Sequence, residues 1–465
     1  SRDDGQTWDD ITPPQIPEWG QVNSIDLSAH DPGRAFLAVT LYKFDDFRPF
    51  ILRTDDYGAN WRLLTDGSNG IPADHFVRVV REDPDRRGLL YAGTEFGLYV
   101  SFDDGDSWQS FQQNLPVTPI TDMAIRQQDL VVATQGRSFW ILDDLTPLHQ
   151  LTDEMVSSEL KLLDPRAGYR FGGGSSFGGG GAAGQNPPGG VVLHYWLGNE
   201  AETELTLEIL DPEGNVLRSL SSEKEEPQAP NPWRRFMSTP QTSRKLPVEK
   251  GLNRYVWNQR LADAELVEDA VLWGMARGPK VPPGTYRARL TMGDTSQTVD
   301  IEVLADPRLE TSAEDYESQY ELSRQIWEAL SQSHRTIETT RDVRQQITDL
   351  AGRLQIQGPD AEISELVDAS TARLDEIENR IYQTRTESSQ DVLNFPPKLD
   401  NQLLGLLGVV QSADAAPTDG TVERYEDLRS ELDAVEAELQ GILEGEVEAF
   451  SELIRQREVP TIIVP

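Results

Sequence analysis

Short apolar stretches alternate with clusters of Asp, Gly, Pro and Ser through the first 158 residues. Stretches rich in Val, Ile, Leu and Phe that are bounded by such turn formers are typical of β-strands. We therefore predict strands at 35–40, 50–53, 89–93, 97–100, 130–134 and 138–142. The strands fall into successive units of similar length, which indicates that one small antiparallel sheet is repeated along the chain.

A polar sequence ending in tryptophan recurs at 1–8, 54–61 and 101–108, and reads SRDDGQTW, TDDYGANW and SFDDGDSW. The tryptophans are 53 and 47 residues apart, close to the size of one four-stranded propeller blade. The aspartate can accept bonds from backbone N–H groups of its own turn, the glycine can supply positive φ, and the tryptophan can pack between blades. We assign these structural roles to Asp3, Gly5, Trp8, Asp56, Gly58, Trp61, Asp103, Gly105 and Trp108.

This repeat resembles the Asp-box, or BNR repeat, of sialidases and sortilin-type propellers. The resemblance implies that residues 1–158 are the C-terminal blades of a β-propeller, about three blades plus one strand. Asp143-Asp144-Leu145 stands where a further box would lie, which fits a degenerate closing blade. We expect the other blades to come from a missing N-terminal part of the same protein or from another chain.

Residues 159–308 divide into a predicted linker and a predicted β-sandwich. A linker is predicted at 159–190, where runs of glycine occur, and a β-sandwich of immunoglobulin type follows at 191–308. The predicted strands of the sandwich are 191–197, 205–210, 253–258, 284–290 and 297–303. Segments 251–257 and 281–286 resemble the Ig-like domain of the flagellar hook-cap protein FlgD, which implies a spacer or assembly module with Trp257 and Tyr286 as core aromatics.

Residues 309–458 show apolar positions at helical spacing and predict four amphipathic helices. A capping box at 312–315 begins the first, and the third runs from about residue 399 to 410. An antiparallel helical bundle is the expected arrangement, and a coiled-coil dimer is the alternative. The bundle could also join copies of the chain into an oligomer. The apolar tail at 459–465 could add a strand to a neighbouring sheet. The fold class is thus multidomain β plus α: partial propeller, Ig-like sandwich and bundle.

The composition of the chain excludes or disfavours several classes of partner and cofactor. The net charge of −37, from 79 acidic and 42 basic residues, disfavours nucleic acid and anionic lipid surfaces. The chain has no cysteine, which excludes disulfides and thiolate zinc sites. Its five histidines show no ligand spacing, and the glycine runs lack the Lys-Ser/Thr of a P-loop. We therefore predict no metal and no cofactor.

Three longer segments, 136–148, 186–190 and 391–399, complete a pattern that covers the whole chain. Together they resemble a family of large bacterial secreted proteins with sortilin-like BNR propellers, often labelled glycosyl hydrolases. The resemblance implies export to the periplasm, the cell surface or the medium.

Three functions are consistent with the sequence. The first is a non-catalytic binding or scaffold protein whose propeller loops present a surface for a protein or glycan ligand. The second is a sialidase-like glycoside hydrolase completed by further blades; it needs an arginine cluster, a Tyr/Glu nucleophile pair and an acid/base Asp. The third is a structural subunit of a cell-surface complex or filament.

Residues of the types that sialidase chemistry requires are present, but no spacing singles them out. They are Arg53, Arg78, Arg137, Glu95 and Tyr99. Arg137 is the catalytic candidate to test first, and a salt bridge to Asp143 or Asp144 is its structural alternative.

Overall fold

The computed structural model describes residues 1, 3–171, 184, 186–224, 245–268, 270–355 and 361–456. Most of the predicted glycine-rich run and the whole apolar tail at 459–465 lie outside the described residues. The chain divides into two compact units, residues 1–156 and 157–465. It combines several antiparallel sheets with a C-terminal helical region. No helix in the described ranges is both long and apolar enough to cross a membrane.

The first unit contains three antiparallel sheets, and in each of them neighbouring strands follow one another along the chain. Each of the six predicted strands lies within an observed strand or extends at most one residue beyond it. The first sheet consists of β1 (Gln21–Leu27), β2 (Ala35–Leu41), β3 (Asp46–Thr54) and β4 (Arg62–Leu63). The second consists of β5 (Val77–Glu82), β6 (Leu90–Thr94), β7 (Leu98–Ser101) and β8 (Gln109–Ser110). The third consists of β9 (Ile120–Arg126), β10 (Asp129–Thr134) and β11 (Phe139–Leu142), and is followed by helices α1 (Thr146–Gln150) and α2 (Asp153–Ser157).

The second sheet lies between the other two. One apolar core joins Phe36, Ala38 and Ile51 of the first sheet to Val80 and Ala92 of the second. A separate core joins the opposite face of the second sheet to the third sheet; its members include Tyr91, Leu98, Val100, Met123 and Val132. Alternate residues of each strand therefore serve two different cores, as the two-residue period of a strand requires.

The second unit begins with two sheets that enclose one core. The rings of Trp257 and Tyr286 meet in that core with their centroids 5.7 Å apart, so both are core aromatics as predicted. The three-stranded sheet has the order β12 (Leu160–Leu162), β14 (Val191–Leu197) and β17 (Gly251–Trp257). The five-stranded sheet has the order β13 (Gly168–Tyr169), β19 (Thr295–Leu304), β18 (Gly284–Met292), β15 (Leu205–Leu210) and β16 (Val216–Ser221).

Two of these strands fall inside the range assigned to a linker. Leu160 and Leu162 are buried in the two-sheet core, and Gly168-Tyr169 pairs in parallel with the end of β19. Strands this short give no alternating pattern that a sequence could reveal. The second unit therefore contains strands well before residue 191.

The described residues of the helical region form five α-helices: α3 (Ala313–Gln355), α4 (Ala361–Ile381), α5 (Leu399–Val410), α6 (Asp419–Ile442) and α7 (Glu448–Gln456). The predicted capping box is present at the start of α3, where the Asp315 N–H donates to Ser312 Oγ at 3.1 Å and the Ser312 N–H donates to Asp315 Oδ2 at 3.2 Å. The predicted fourth helix is divided into α6 and α7 by a π-helical turn at Leu443–Val447. The assignment of the two sheets to an Ig-like sandwich, and of the helices to an antiparallel bundle, stays a prediction.

An irregular segment, residues 261–268 and 270–280, covers one side of the helical region; we call it the strap. Its apolar residues Ala264, Val267 and Leu272 belong to the core of the helices. The backbone N–H groups of Leu261 and Ala264 donate to carbonyls within the strap, while four others donate to helix side chains. These bonds run from Glu265 to Ser331 Oγ (3.2 Å), Val267 to His334 Nδ1 (3.2 Å), Val271 to the Tyr382 hydroxyl (3.1 Å) and Trp273 to Asn401 Oδ1 (3.1 Å).

Candidate functional site

The recurring turn has one geometry in all three copies and joins the third strand of a sheet to the fourth in the first two sheets. The aspartate Oδ1 accepts the N–H of the residue four positions later, at 2.8 Å in each copy. The hydroxyl of the first residue accepts the glycine N–H at 2.7 to 2.9 Å. The glycines have φ of 86°, 87° and 88°, a region that L-residues with side chains rarely adopt. All these polar groups are used inside the turn, so the turn is a structural element.

The three tryptophans differ in their surroundings. Trp108 is buried in the core between the first and second sheets, and Trp61 is half-buried against the first sheet, with its Nε1–H donating to the Ile11 carbonyl at 2.9 Å. Trp8 is 78% exposed and donates only to the Gly5 carbonyl of its own turn. The packing predicted for this residue is not seen, since the described residues contain no sheet ahead of β1.

Replacing Asp103 with alanine is expected to lower the free energy of unfolding by about 1–2 kcal/mol, because it removes the acceptor for the Ser107 N–H and for two hydroxyl groups. Urea titration of the full chain measures this. Asp106→Ala, at an exposed position three residues further on, is the control and should change stability by less than about 0.5 kcal/mol. Equal losses in both variants would show that the turn does not depend on Asp103.

Three residues named as sialidase-type candidates come together at one end of the first two sheets. The β2–β3 turn, the β4–β5 connection and the β6–β7 turn meet there, because antiparallel strands return to the same edge at every second connection. We call this cluster the aromatic rim. Its members are Trp19, Tyr42, Phe44, Phe47, His75, Phe76, Arg78, Glu95, Phe96 and Tyr99.

An ion pair stands beside stacked rings at the centre of the aromatic rim. Arg78 donates from Nε and Nη2 to Glu95 Oε2, at 2.8 Å and 2.6 Å. Tyr42 and Phe76 stack with their centroids 4.9 Å apart. The guanidinium carbon of Arg78 lies 5.4 Å from the Tyr42 ring and 5.1 Å from the Phe76 ring, within the range of cation–π attraction. The carboxylate and the two rings together hold Arg78 in one position.

Tyr99 pairs with His75 at a distance of 2.9 Å between the hydroxyl oxygen and Nδ1. Burial, with a smaller contribution from Asp74, raises the pKa of the Tyr99 phenol above its usual value. The phenol therefore stays protonated at neutral pH. The geometry thus pairs Glu95 with Arg78 and Tyr99 with His75; no hydrogen bond joins Glu95 to Tyr99 among the bonds of the described residues.

Large apolar rings face the solvent along the aromatic rim. Trp19 and Phe44 are 73% and 60% exposed, and their rings stack with centroids 6.4 Å apart. Phe47 and Phe96 are each 44% exposed. Clusters of exposed aromatics mark binding surfaces more often than isolated ones do.

The other two arginines lie outside this cluster. Arg53 pairs with Asp55 at 2.9 Å and also with Asp104, next to the recurring turns. Arg137 is exposed, its N–H donates to Thr134 Oγ1, and its carbonyl accepts the Trp140 Nε1–H. The considered salt bridge from Arg137 to Asp143 or Asp144 is not among the ion pairs of the described residues. The structure therefore does not gather an arginine cluster from these residues.

One polar cluster was missed by sequence reasoning, which treated the histidines as scattered. Asp83, Asp85 and His149 place one potential ligand atom each within 4.8 Å of one another. The His149 Nε2–H donates to Asp83 Oδ2 at 3.0 Å, and His30 Nε2 reaches the Asp83 carbonyl at 2.8 Å. His30 and His149 lie 53 and 66 residues from Asp83 in sequence, so no spacing could have shown the contact.

The bonds of Asp83 decide between a metal site and a structural role for this cluster. Its Oδ1 accepts the backbone N–H groups of Asp85 and Arg86, at 2.9 Å and 3.1 Å. Its Oδ2 accepts the Tyr91 hydroxyl at 3.0 Å in addition to His149. Both oxygens are thus already satisfied inside the protein, and the cluster fixes its loops in place.

Comparison with known proteins gives no family. No protein-family model and no curated protein matches the chain. Among solved structures, a Niastella koreensis GH74 enzyme is 13% identical, with 60% of this chain and 46% of that chain covered, at a TM-score of 0.23. The Xanthomonas campestris GH74 xyloglucanase is 12% identical, with 60% and 47% covered, at 0.21. An extracellular domain from B. thetaiotaomicron is 10% identical, with 59% and 30% covered, at 0.19.

The chain therefore spans less than half the length of each of these structures. TM-scores this low carry no argument about the function of this chain.

Proposed function

We propose that this protein is an exported, non-catalytic binding protein that holds its ligand on the aromatic rim, while the second unit braces it or connects it to other proteins. The observation that supports this is the exposure of Trp19, Phe44, Phe47 and Phe96 around a fixed Arg78–Glu95 ion pair. Such a surface suits a ligand with apolar faces and a few polar groups, as sugar rings and aromatic peptide segments have.

The first unit is, in this proposal, part of a β-propeller. Three antiparallel sheets stack face to face, and the third strand of the first two leads into the same turn. Propeller blades have this strand order, and their loops gather at the two rims of the ring. The Asp-box interpretation of the turn is consistent with its three equal sets of hydrogen bonds.

A glycoside hydrolase receives less support from the same residues. Retaining sialidase-type chemistry needs a tyrosine activated by a neighbouring carboxylate. Here Glu95 is held by Arg78, and Tyr99 is a buried phenol with a raised pKa, bonded to His75. Neither group is placed to act on a substrate in the way that this mechanism requires.

Binding and hydrolysis are tested together with the full chain. We expect it to bind one class of glycan on an oligosaccharide array or one set of aromatic peptides. Phe44→Ala/Phe96→Ala should weaken that binding at least about tenfold, since exposed aromatics dominate such contacts. Leu393→Ala is the control, because Leu393 is 79% exposed and belongs to the helical region of the second unit.

Hydrolysis is followed by the release of reducing sugar from the same glycans. The proposal predicts no release. Turnover by the wild type that is lost in Glu95→Gln or Tyr99→Phe would overturn it and establish an enzyme. Binding that is unchanged in the double variant would place the ligand elsewhere.

A further inference from the structure

The two outer sheets of the first unit each leave apolar side chains in solvent. Phe139 and Ile141 of β11 in the third sheet are 75% and 59% exposed. Val22, Ile25 and Leu27 of β1 in the first sheet are 42%, 65% and 77% exposed. Contiguous exposed apolar residues on one sheet face often mark an interaction surface.

A shared irregularity aligns the three sheets residue by residue. In each sheet the first strand has a one-residue β-bulge against the second strand. The extra residue follows Val22 in β1 and Val77 in β5, and in β9 it lies opposite Ala133/Thr134 of β10. Because a bulge fixes the register on both sides of it, positions counted from the bulge correspond in all three sheets.

This alignment defines the rear face, the side of a sheet that meets the next sheet along the chain. In the first sheet it contains Ile51 opposite Ala38, and in the second Leu98 opposite Gly93 and Val100 opposite Tyr91. Ile51, Leu98 and Val100 are 0%, 4% and 2% exposed, since another sheet covers each of them.

The third sheet repeats this pattern without a cover. Phe139 pairs with Ala133 and Ile141 with Val131, at the positions of Leu98 with Gly93 and Val100 with Tyr91. The residue types are equally apolar, yet Phe139 and Ile141 face solvent. The rear face of the third sheet is therefore built like two surfaces that are sheet–sheet interfaces in the same molecule.

The opposite side of each sheet, the front face, shows the complementary pattern. Val22 and Ile25 correspond to Val77 and Val80 in the second sheet and to Ile120 and Met123 in the third. Those four counterparts are at most 3% exposed. In β1 the alternate residues Ser24 and Asp26 bond to Val80 and Glu82 of the second sheet, so Ile25 and Leu27 point away from it.

We propose that these two open ends are docking surfaces for each other: the rear face of the third sheet (Val131, Ala133, Phe139, Ile141) receives the front face of the first sheet (Val22, Ile25, Leu27) of a second copy of this chain. The association continues the packing that joins the first sheet to the second and the second to the third. It rests on the proposed sheet-stack interpretation of the first unit. Each copy carries one face of each kind, so the contact is head-to-tail.

Sedimentation of the full chain over about 1 to 100 µM tests the association. The wild type should self-associate. A rear variant, Phe139→Ser/Ile141→Ser, and a front variant, Ile25→Ser/Leu27→Ser, should each weaken the association at least about tenfold. All four positions are exposed, so the variants should fold, which circular dichroism checks. Val117→Ser is the control and should associate like the wild type.

Mixing the two variants separates head-to-tail contact from any symmetric one. The rear variant keeps an intact front face and the front variant an intact rear face, so the mixture should regain one contact and form heterodimers. A wild type that stays monomeric, or a mixture that regains nothing, overturns the proposal and leaves the faces to other sheets. Phe44→Ala/Phe96→Ala should leave self-association unchanged, so failure of rim binding and failure of this docking are distinguishable.

Discussion

Replacing Arg34 with methionine is expected to destabilise the first unit by about 3–5 kcal/mol, the cost typical of leaving a buried charge without its partner. Arg34 and Glu82 are 2% and 1% exposed and lie 3.1 Å apart, and Arg34 also pairs with Asp104 of the third recurring turn. These contacts connect the first sheet to the second. Among the ion pairs of the described residues, Arg34 is the only cation that pairs with Glu82, and the variant removes it.

Guanidinium titration of the full chain measures this loss, and Arg87→Met is the matched control. Arg87 is 56% exposed and lies 3.9 Å from Asp31, so its replacement should cost less than about 1 kcal/mol. Adding Glu82→Gln to Arg34→Met should recover part of the loss, because the uncompensated charge is then gone. A single variant as stable as the control would show that the buried pair contributes nothing.

Replacing Asp400 with asparagine is expected to stabilise the protein at alkaline pH. Asp400 and His334 are each 1% exposed, with 3.7 Å between Asp400 Oδ2 and His334 Nε2. Burial raises the pKa of Asp400 to about 8, and burial, with a smaller effect of Arg341, lowers the pKa of His334 to about 3. Both groups are therefore neutral near pH 7, and the short separation is not an ion pair.

The sign of the effect follows from proton binding. Between the unfolded pKa of Asp400, about 4, and its folded pKa, the folded chain keeps a proton that the unfolded chain releases. The contribution of this group to stability is then complete at low pH and is lost as the pH rises toward about 8. An asparagine side chain cannot ionise, so the Asp400→Asn variant should gain about 2–5 kcal/mol over the wild type at pH 8 and little at pH 4.

Unfolding by urea at intervals from pH 4 to 8.5 checks this prediction. Asp427→Asn, at a position that is 73% exposed, should follow the wild-type curve. Parallel curves for the wild type and Asp400→Asn would contradict it, since they would mean that Asp400 has the same pKa in the folded and unfolded chains.

The sequence predicts the regular elements well where local chemistry decides them. The apolar run of α5 (Leu399–Val410) is bounded before its start by Pro396 and Pro397, and its predicted and observed limits agree. The division of α6 from α7 is not predictable in this way, because the apolar spacing continues through the π-helical turn.

The sequence predicted the contacts between different strands, helices and loops least well. The residue types of Arg78, Glu95 and Tyr99 were singled out, but their partners depend on how two sheets stack. His30 and His149 meet at Asp83 across long separations for the same reason. In the strap, Ala264, Val267 and Ala270 follow a helix-like spacing of three, yet their backbone is irregular. The Val267 N–H donates to the His334 side chain, and the Ala264 N–H donates to the Ala276 carbonyl within the strap.

The strap also determines where the chain can be divided. Cutting between the two-sheet core and the helices, near residue 308, removes Ser331, His334, Tyr382 and Asn401 and leaves four strap N–H groups without acceptors. It also strips the cover from Val267 and Leu272. A shortened protein of that kind should be recovered as aggregate, whereas a cut after residue 156 follows the boundary between compact units. For crystallisation or binding assays, the sheets and helices of the second unit are best kept as one piece.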